Sequence, residues 1–523
     1  MGSYWIDGLV LLAYFALIMG IGLSQRSKSD SVEGFALGDR QTPWWAVLAS
    51  ILAAEISAAT FLGAPESGFS NHNWTYAQFA IGTVIARIIV SYIFIPVFYR
   101  HGVVSLYEYL GTRFGPRTRV VASATFLLTR VLAMGTRLYV SAIILVLAYG
   151  LWKGGVVSSN ERFLIFAVAL TGITVATAIY TAVGGIRAVI WTDFIQVGVL
   201  VAALGFTIWF LLGQLPEGWK TAMEQVKQPA FFNFAKPADE PGLLPWLRNV
   251  FTTEYTIWAA VIGSTFVTMA THGIDQDTVQ RMLTAKNRRQ SAFATILSGI
   301  IDLPVVSSFI FIGILLAAYY RITPDASLPT ESREAFPHFI LTKMPHGMCG
   351  LVIAGLLATA MGSLSTALNA LGTSFARDFV FPRMGGDSMT QSLQVKVLRW
   401  STVVFAVLII LVGLGTAYYM AHDPTAKIIP LVLGILGFTF GSLLGVFLVA
   451  VLTKRRGNDL GNIIGMVSGF LAVVFLSNPF DVQKAVGIIQ PFVLSFPWRV
   501  TLGTFVTVAI SLCFRTPENA RLE

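Results

Sequence analysis

The chain has 523 residues, 55% of them hydrophobic and only 12% charged, with a mean hydropathy of +0.70. Charged residues are about 25% of an average soluble protein, so an ordinary soluble domain is excluded and an all-α polytopic membrane protein is indicated, with the lipid bilayer as its surroundings. The formal net charge of +9 is spread over loops rather than gathered in one patch, which sets nucleic acid aside as a partner.

The first apolar segment, 4–23, lacks a basic leader and a small-residue cleavage site and carries Asp7. It is expected to be a retained span, not a removed signal peptide. The next stretch, 44–69 (WWAVLASILAAEISAATFLGAPESGF), is long enough to cross a bilayer, yet Glu55 sits at its centre. A charge at mid-membrane costs roughly 3 kcal/mol and belongs at a polar cavity. Ser57, Thr60, Gly63 and Pro65 follow it. These residues would loosen the helix and free carbonyls that can ligate a cation.

About thirteen spans can be drawn: 4–24, 43–70, 76–100, 117–149, 160–182, 188–213, 252–282, 292–320, 346–379, 395–417, 425–452, 458–478 and 496–515. Strict alternation of polar and apolar residues is absent, which argues against a membrane barrel. Basic residues cluster in alternate loops, among them Arg26, Lys28 and Arg40, then Arg113 and Arg117, then Arg281 and Lys286, and finally Lys454 to Arg456 with Arg521 in the tail. The positive-inside rule makes these loops cytoplasmic, with the amino terminus outside and the carboxyl terminus inside a plasma (inner) membrane. The long outer segment 214–251 holds Pro216, Pro237, Pro241 and Pro245; it is either a short lid or an ordered loop. Cys349 and Cys513 fall near opposite membrane faces, and neither they nor the six scattered histidines have metal-ligand spacing.

Spans two to six and seven to eleven make two five-helix blocks of opposite orientation, the inverted-repeat (5+5) layout of many secondary transporters. The chain then divides into 1–42 (first span and loop), 43–213 (first repeat), 214–251 (outer loop), 252–452 (second repeat) and 453–523 (two accessory spans and tail). The seventh span is again interrupted by polar residues: Thr268, Thr271, His272, Gly273 and Asp275. Paired irregularities of this kind point to a midplane binding site.

Two readings compete for the run 355–370, GLLATAMGSLSTALNA. Small residues let helices approach closely; alternatively, its hydroxyls and carbonyls suit sodium, a hard cation that prefers oxygen ligands. Two readings also compete for Glu55, Arg87, Arg130 and Arg137, which fall near the bilayer midplane on spans two, three and four. One is a structural network in which Glu55 neutralises an arginine. The other is a positive surplus that receives an anionic solute, a carboxylate held bidentately by Arg137.

Four stretches, FALGDRQTPWW at 35–45, GGIRAVIWTDFIQ at 184–196, VQRMLTAK at 279–286 and GSLSTALN at 362–369, make the chain resemble the sodium/solute symporter family, which has a leucine-transporter-like inverted-repeat architecture. The resemblance implies alternating access with one or two sodium ions. It implies a principal sodium site from the carbonyls of Ala53, Ile56 and Thr359 and the hydroxyl of Ser363, with Gly362 standing where many relatives carry a second hydroxyl. It also implies a second site from Asp193 with Ser365 and Thr366, although Asp193 equally suits a helix N-terminal acid satisfied by backbone amides. Thr60, Thr271 and His272, by position, would line the solute cavity with Glu55 and Arg137. Sugar-carrying relatives place an aromatic gate about where Thr271 stands, which weighs against a hexose.

The function expected is sodium-coupled symport of a small polar solute, a carboxylate or other organic anion, by a monomer, with sodium as the coupling ion. The alternatives are sodium-coupled uptake of a neutral sugar or amino acid, proton coupling through Glu55, and a channel. No nucleophile–base pair or HExxH motif supports a membrane-embedded enzyme.

Overall fold

The computed structural model describes residues 4–26, 31–154, 157–235, 242–422, 428–479, 481–488 and 491–517. Lys28, Pro237, Pro241 and Arg521, used above, lie outside these. Among the described residues the chain is helical, and its only extended pairings are two isolated bridges, Thr42 with Ala285 and Arg456 with Arg515. The principal helices are α1 (Tyr4–Ser24), α2 (Trp44–Glu55), α3 (Ala58–Asn71), α4 (Phe79–His101), α5 (Pro116–Lys153), α6 (Ser159–Gly213) and α7 (Ser264–Gly273). They continue as α8 (Gln276–Met282), α9 (Arg288–Ile322), α10 (Met348–Phe375), α11 (Gln391–His422), α12 (Ile428–Leu452), α13 (Asp459–Ser477) and α14 (Phe496–Leu512).

Among the described residues nine helices are long and apolar enough to cross a membrane, ten when α2 and α3 count as one. The expected segments 160–182 and 188–213 together make up α6, whose 55 residues would extend roughly 80 Å if straight, far more than one crossing of a ~30 Å hydrocarbon core. The helix is broken at Gly185, which has φ 58 and ψ −152. Segment 252–282, in turn, is made of short pieces: a π turn at Ala259–Gly263, then α7, then α8.

Nearly every side chain of α10 is buried, and it packs on α6, α5, α2 and α1. Its start explains Asp7. That carboxylate on α1 accepts the amides of Gly347 and Gly350 at 2.7 Å each and faces His346 Nδ1 at 2.9 Å, so an acid within an apolar helix caps the positive end of a neighbouring one. The second half-helix α3 lies against α9 through glycines on both sides. A Cβ on Gly68 would stand 2.0 Å from the Ile310 carbonyl oxygen, and one on Gly313 2.0 Å from that of Pro65. Backbone-to-backbone approach of this kind is how membrane helices associate without a hydrophobic driving force.

Gly185 has a conformation that L-residues rarely adopt, and a Cβ there would meet the Phe35 carbonyl oxygen at 2.6 Å. Gly185→Ala is therefore expected to destabilise the fold by about 1–3 kcal/mol. In thermal unfolding of purified protein this is a drop of several degrees in melting temperature, and an unchanged midpoint would show that the break tolerates a side chain.

Candidate functional site

The helical ladder of α2 ends where the Ile56 amide bonds the Leu52 carbonyl (3.0 Å) and resumes in α3 where the Phe61 amide bonds the Ser57 carbonyl (2.9 Å). Between them Ile56 (φ −76, ψ 97) and Ser57 (φ −94, ψ 167) are extended, and the two halves diverge by 65°. Ile56 is β-branched and Ser57 can hydrogen-bond the backbone outside a helix, so both tolerate this break. The carbonyls of Ala53 and Ala54 thereby face α10. Ser363 Oγ donates to the Ala54 carbonyl at 3.2 Å, and a Cβ on Gly362 would lie 3.3 Å from the Ala53 oxygen. Ala53, Ile56 and Thr359 line one small void together with Gln196 of α6. All five residues expected at a principal cation site thus meet at one junction. Carbonyl and hydroxyl oxygens at a dry helix break fit a hard monovalent cation.

The expected second set is arranged differently. Asp193 is fully buried, and its Oδ2 accepts from Ser50 Oγ at 2.5 Å and faces the Arg281 guanidinium at 3.9 Å. The hydroxyls of Ser365 and Thr366 turn back to the Gly362 carbonyl at 3.1 and 2.7 Å. Asp193 Oδ1 has no hydrogen-bond partner. Arg281, expected in a basic cytoplasmic loop, is instead buried, with Nη1 donating to the Ser50 carbonyl at 2.5 Å and Nη2 3.5 Å from Asp277. Burial of that guanidinium is supported by two carboxylates and a carbonyl.

The five expected solute residues line two cavities that share Glu55 and Arg137. The larger, about 370 Å³, adds Thr60 together with Ser57, Glu66, Asn71 and Tyr76. The smaller, about 110 Å³, adds Thr271 and His272 together with Arg130 and Asp275. His272 Nδ1 is 3.0 Å from the Thr271 hydroxyl, whereas its buried Nε2 has no partner.

The expected positive surplus is not present. Arg87 pairs with Glu55 and donates to Ser298 Oγ at 2.7 Å; Arg130 pairs with Asp277 and lies 3.4 Å from Asp275. With Asp193 and Asp302 also buried, four arginines (87, 130, 137 and 281) face five carboxylates (55, 193, 275, 277 and 302). Desolvated charge must be matched, and the matching acids come from α6, α8 and α9, segments distant in sequence. Arg137 differs: among the described residues it forms no ion pair and no hydrogen bond, yet it lines both cavities. Gln196, Ser50, Asp277 and Arg281 escape sequence reasoning, although 184–196 and 279–286 contain two of them. Only long-range contact brings these residues to the site.

A polytopic helical bundle whose two interrupted helices bracket an oxygen-lined junction and a polar cavity defines a secondary carrier. Residues 35–469 match the model of the sodium:solute symporter family, and the chain belongs to that family; it is a sodium-coupled symporter, an integral membrane protein and not an enzyme. It is 26% identical to the sodium/sialic acid symporter NanT of Aliivibrio fischeri over 97% of this chain and 92% of that one. It is 27% identical to the sodium-coupled monocarboxylate transporter 2 of Bos taurus, covering 95% of this chain and 75% of the relative. A solved Na+-coupled sialic acid symporter in a substrate-bound outward-open state shares the fold, with TM-score 0.79, 24% identity and 97% of each chain covered.

Arg130→Ala leaves Asp275 buried without its ion-pair partner and Asp277 with Arg281 alone, at 3.5 Å. The expected cost is about 3–5 kcal/mol, seen as loss of the monodisperse peak in size-exclusion chromatography or a melting temperature lowered by many degrees. A wild-type unfolding profile would mean the network is dispensable.

Proposed function

We propose that the solute is a small polar carboxylate received by Arg137, and that one sodium ion accompanies it at the junction of the α2–α3 break with α10. The observation that carries the solute class is the unpaired Arg137 on the wall common to both cavities: a partly buried guanidinium without a counter-ion is suited to a bidentate anion. The hydroxyl, carboxyl and amide groups of the larger cavity match a hydroxylated acid better than an apolar one. Relatives named for sialic acid and for monocarboxylates agree with this choice over the glucose carried by others.

The carbonyls of Ala53, Ile56 and Thr359 and the Ser363 hydroxyl would hold sodium. Binding there ties α10 to both halves of the broken helix, which fixes Thr60 on α3 and Glu55 on α2 around the solute. Asp193, whose charge is met by Arg281, does not require a second sodium. The two blocks 43–213 and 252–452 would then rock about this junction within the lipid bilayer, the chain acting as a monomer. The amino terminus lies outside and the carboxyl terminus in the cytoplasm, as the basic loops argue.

The decisive experiment is uptake into proteoliposomes, after a thermal-shift screen against sialic acid, short monocarboxylates and glucose in sodium or choline. Arg137→Lys keeps the charge and loses the fork, so the fold is expected to persist while the KM for the carboxylate rises about tenfold or more, as expected for a charge-assisted pair worth roughly 1.5–3 kcal/mol. Undiminished uptake removes Arg137 from the site. Coupling one sodium to one carboxylate moves no net charge. An imposed potential of ~100 mV, worth about 2.3 kcal/mol per charge, should therefore change the accumulation ratio little; a tens-of-fold increase would require a second cation.

A further inference from the structure

We infer that the side-chain oxygen of Gln196 is a sodium ligand, taking the place left open by the missing side chain at Gly362. This rests on the principal sodium site proposed above and concerns a residue outside the ligand set expected there. Gln196 lies on α6, is 1% exposed, and neither its Oε1 nor its Nε2 has a hydrogen-bond partner. The Tyr14 hydroxyl donates instead to Met361 Sδ at 3.8 Å, and the Tyr180 hydroxyl has no hydrogen-bond partner. A buried carboxamide left unsatisfied costs about 1–3 kcal/mol, so its retention in a dry helix interface calls for a partner that is present during function.

The direction of the carboxamide identifies that partner. Its Oε1 is 2.9 Å from the position a Cβ on Gly362 would occupy, and the Ala53 carbonyl oxygen is 3.3 Å from the same position. Gln196 also lines the small void bounded by Ala53, Ile56 and Thr359. The space that a side chain at 362 would fill is therefore flanked by two oxygens, one from a released carbonyl and one from a neutral amide. Any side chain there would strike the carboxamide, so Gly362 and Gln196 form one steric unit. A hard cation takes amide oxygens readily, and Asp193, one turn earlier on the same face of α6, contributes charge without direct ligation.

Sodium binding by the purified full-length protein tests this, read as thermal stabilisation against NaCl at ionic strength held constant with choline chloride. Gln196→Ala should raise the half-maximal sodium concentration about tenfold, equivalent to about 1.4 kcal/mol. Gly362→Ser should raise it as well, because its Cβ meets Gln196. The double variant Gln196→Ala/Gly362→Ser supplies a hydroxyl where the amide was, and should return the midpoint to within about threefold of wild type. Should Gln196→Ala fail to fold, Gln196→Glu keeps the volume and adds charge, and should lower the midpoint severalfold; an unmoved midpoint in that variant overturns the proposal. Ser363→Ala is the control for the underlying site. A raised midpoint in Ser363→Ala with wild-type behaviour in Gln196→Ala removes Gln196 while leaving the site; no change in either removes both.

Discussion

A bilayer-spanning chain cannot leave backbone polar groups unsatisfied in lipid, and the break at residues 56 and 57 is where this protein meets that constraint most directly. The 65° bend between α2 and α3 releases carbonyls from the helical ladder beside α10. Ser363 serves one of them at 3.2 Å, and the absence of side chains at Gly362, Gly68 and Gly313 lets the surrounding backbones come near. An interrupted helix is thus held in position by one hydroxyl and by close glycine contacts. Such a joint is stable when packed and can be shifted by anything that adds oxygen-seeking charge to it.

The second constraint is charge. Arg87, Arg130 and Arg281 are each anchored by acids from other helices: Glu55 on α2, Asp275 and Asp277 at the start of α8, Asp193 on α6. These pairs tie α4, α5 and α8 to α2 and α6, so both interrupted helices are fixed by ion pairs rather than by apolar packing alone. Removing one partner of such a pair is far more costly than the pair is stabilising. The network therefore acts as a specification of geometry around the cavity more than as a source of stability.

The sequence alone supports the helical membrane class and the interrupted segments at 44–69 and 252–282, because apolar length and a central Glu55 are local signals, whereas the set Ala53, Ile56, Thr359, Gly362 and Ser363 comes from the family resemblance. The pairing of the arginines was not legible. Arg281 lies beside loop residues in sequence and was grouped with them by position, yet its neighbours in space are Ser50 and Asp193. The division of α6 is legible at Gly184 and Gly185, between the two expected spans, whereas the approach of Phe35 that demands glycine at 185 is not. What sequence patterns convey is which residues a helix buries; which side chain on another helix answers them is a tertiary matter.

Four of the polar groups without a hydrogen-bond partner take on meaning by where they stand. Arg137, His272 Nε2, Asp193 Oδ1 and the Gln196 carboxamide border the two helix breaks, whereas the Asp7 carboxylate, buried at the start of α10, has both oxygens engaged. In a fold selected for stability alone, unsatisfied groups in low dielectric are eliminated. Here Arg137 and His272 line the solute cavities, whereas Gln196 lines the void beside Ala53, Ile56 and Thr359. On the proposed reading a carboxylate would meet Arg137 and a sodium ion would meet Gln196, each beside residues 53–56. Coupling would then follow from that shared element, a ligand on one side fixing the break whose position the other ligand needs.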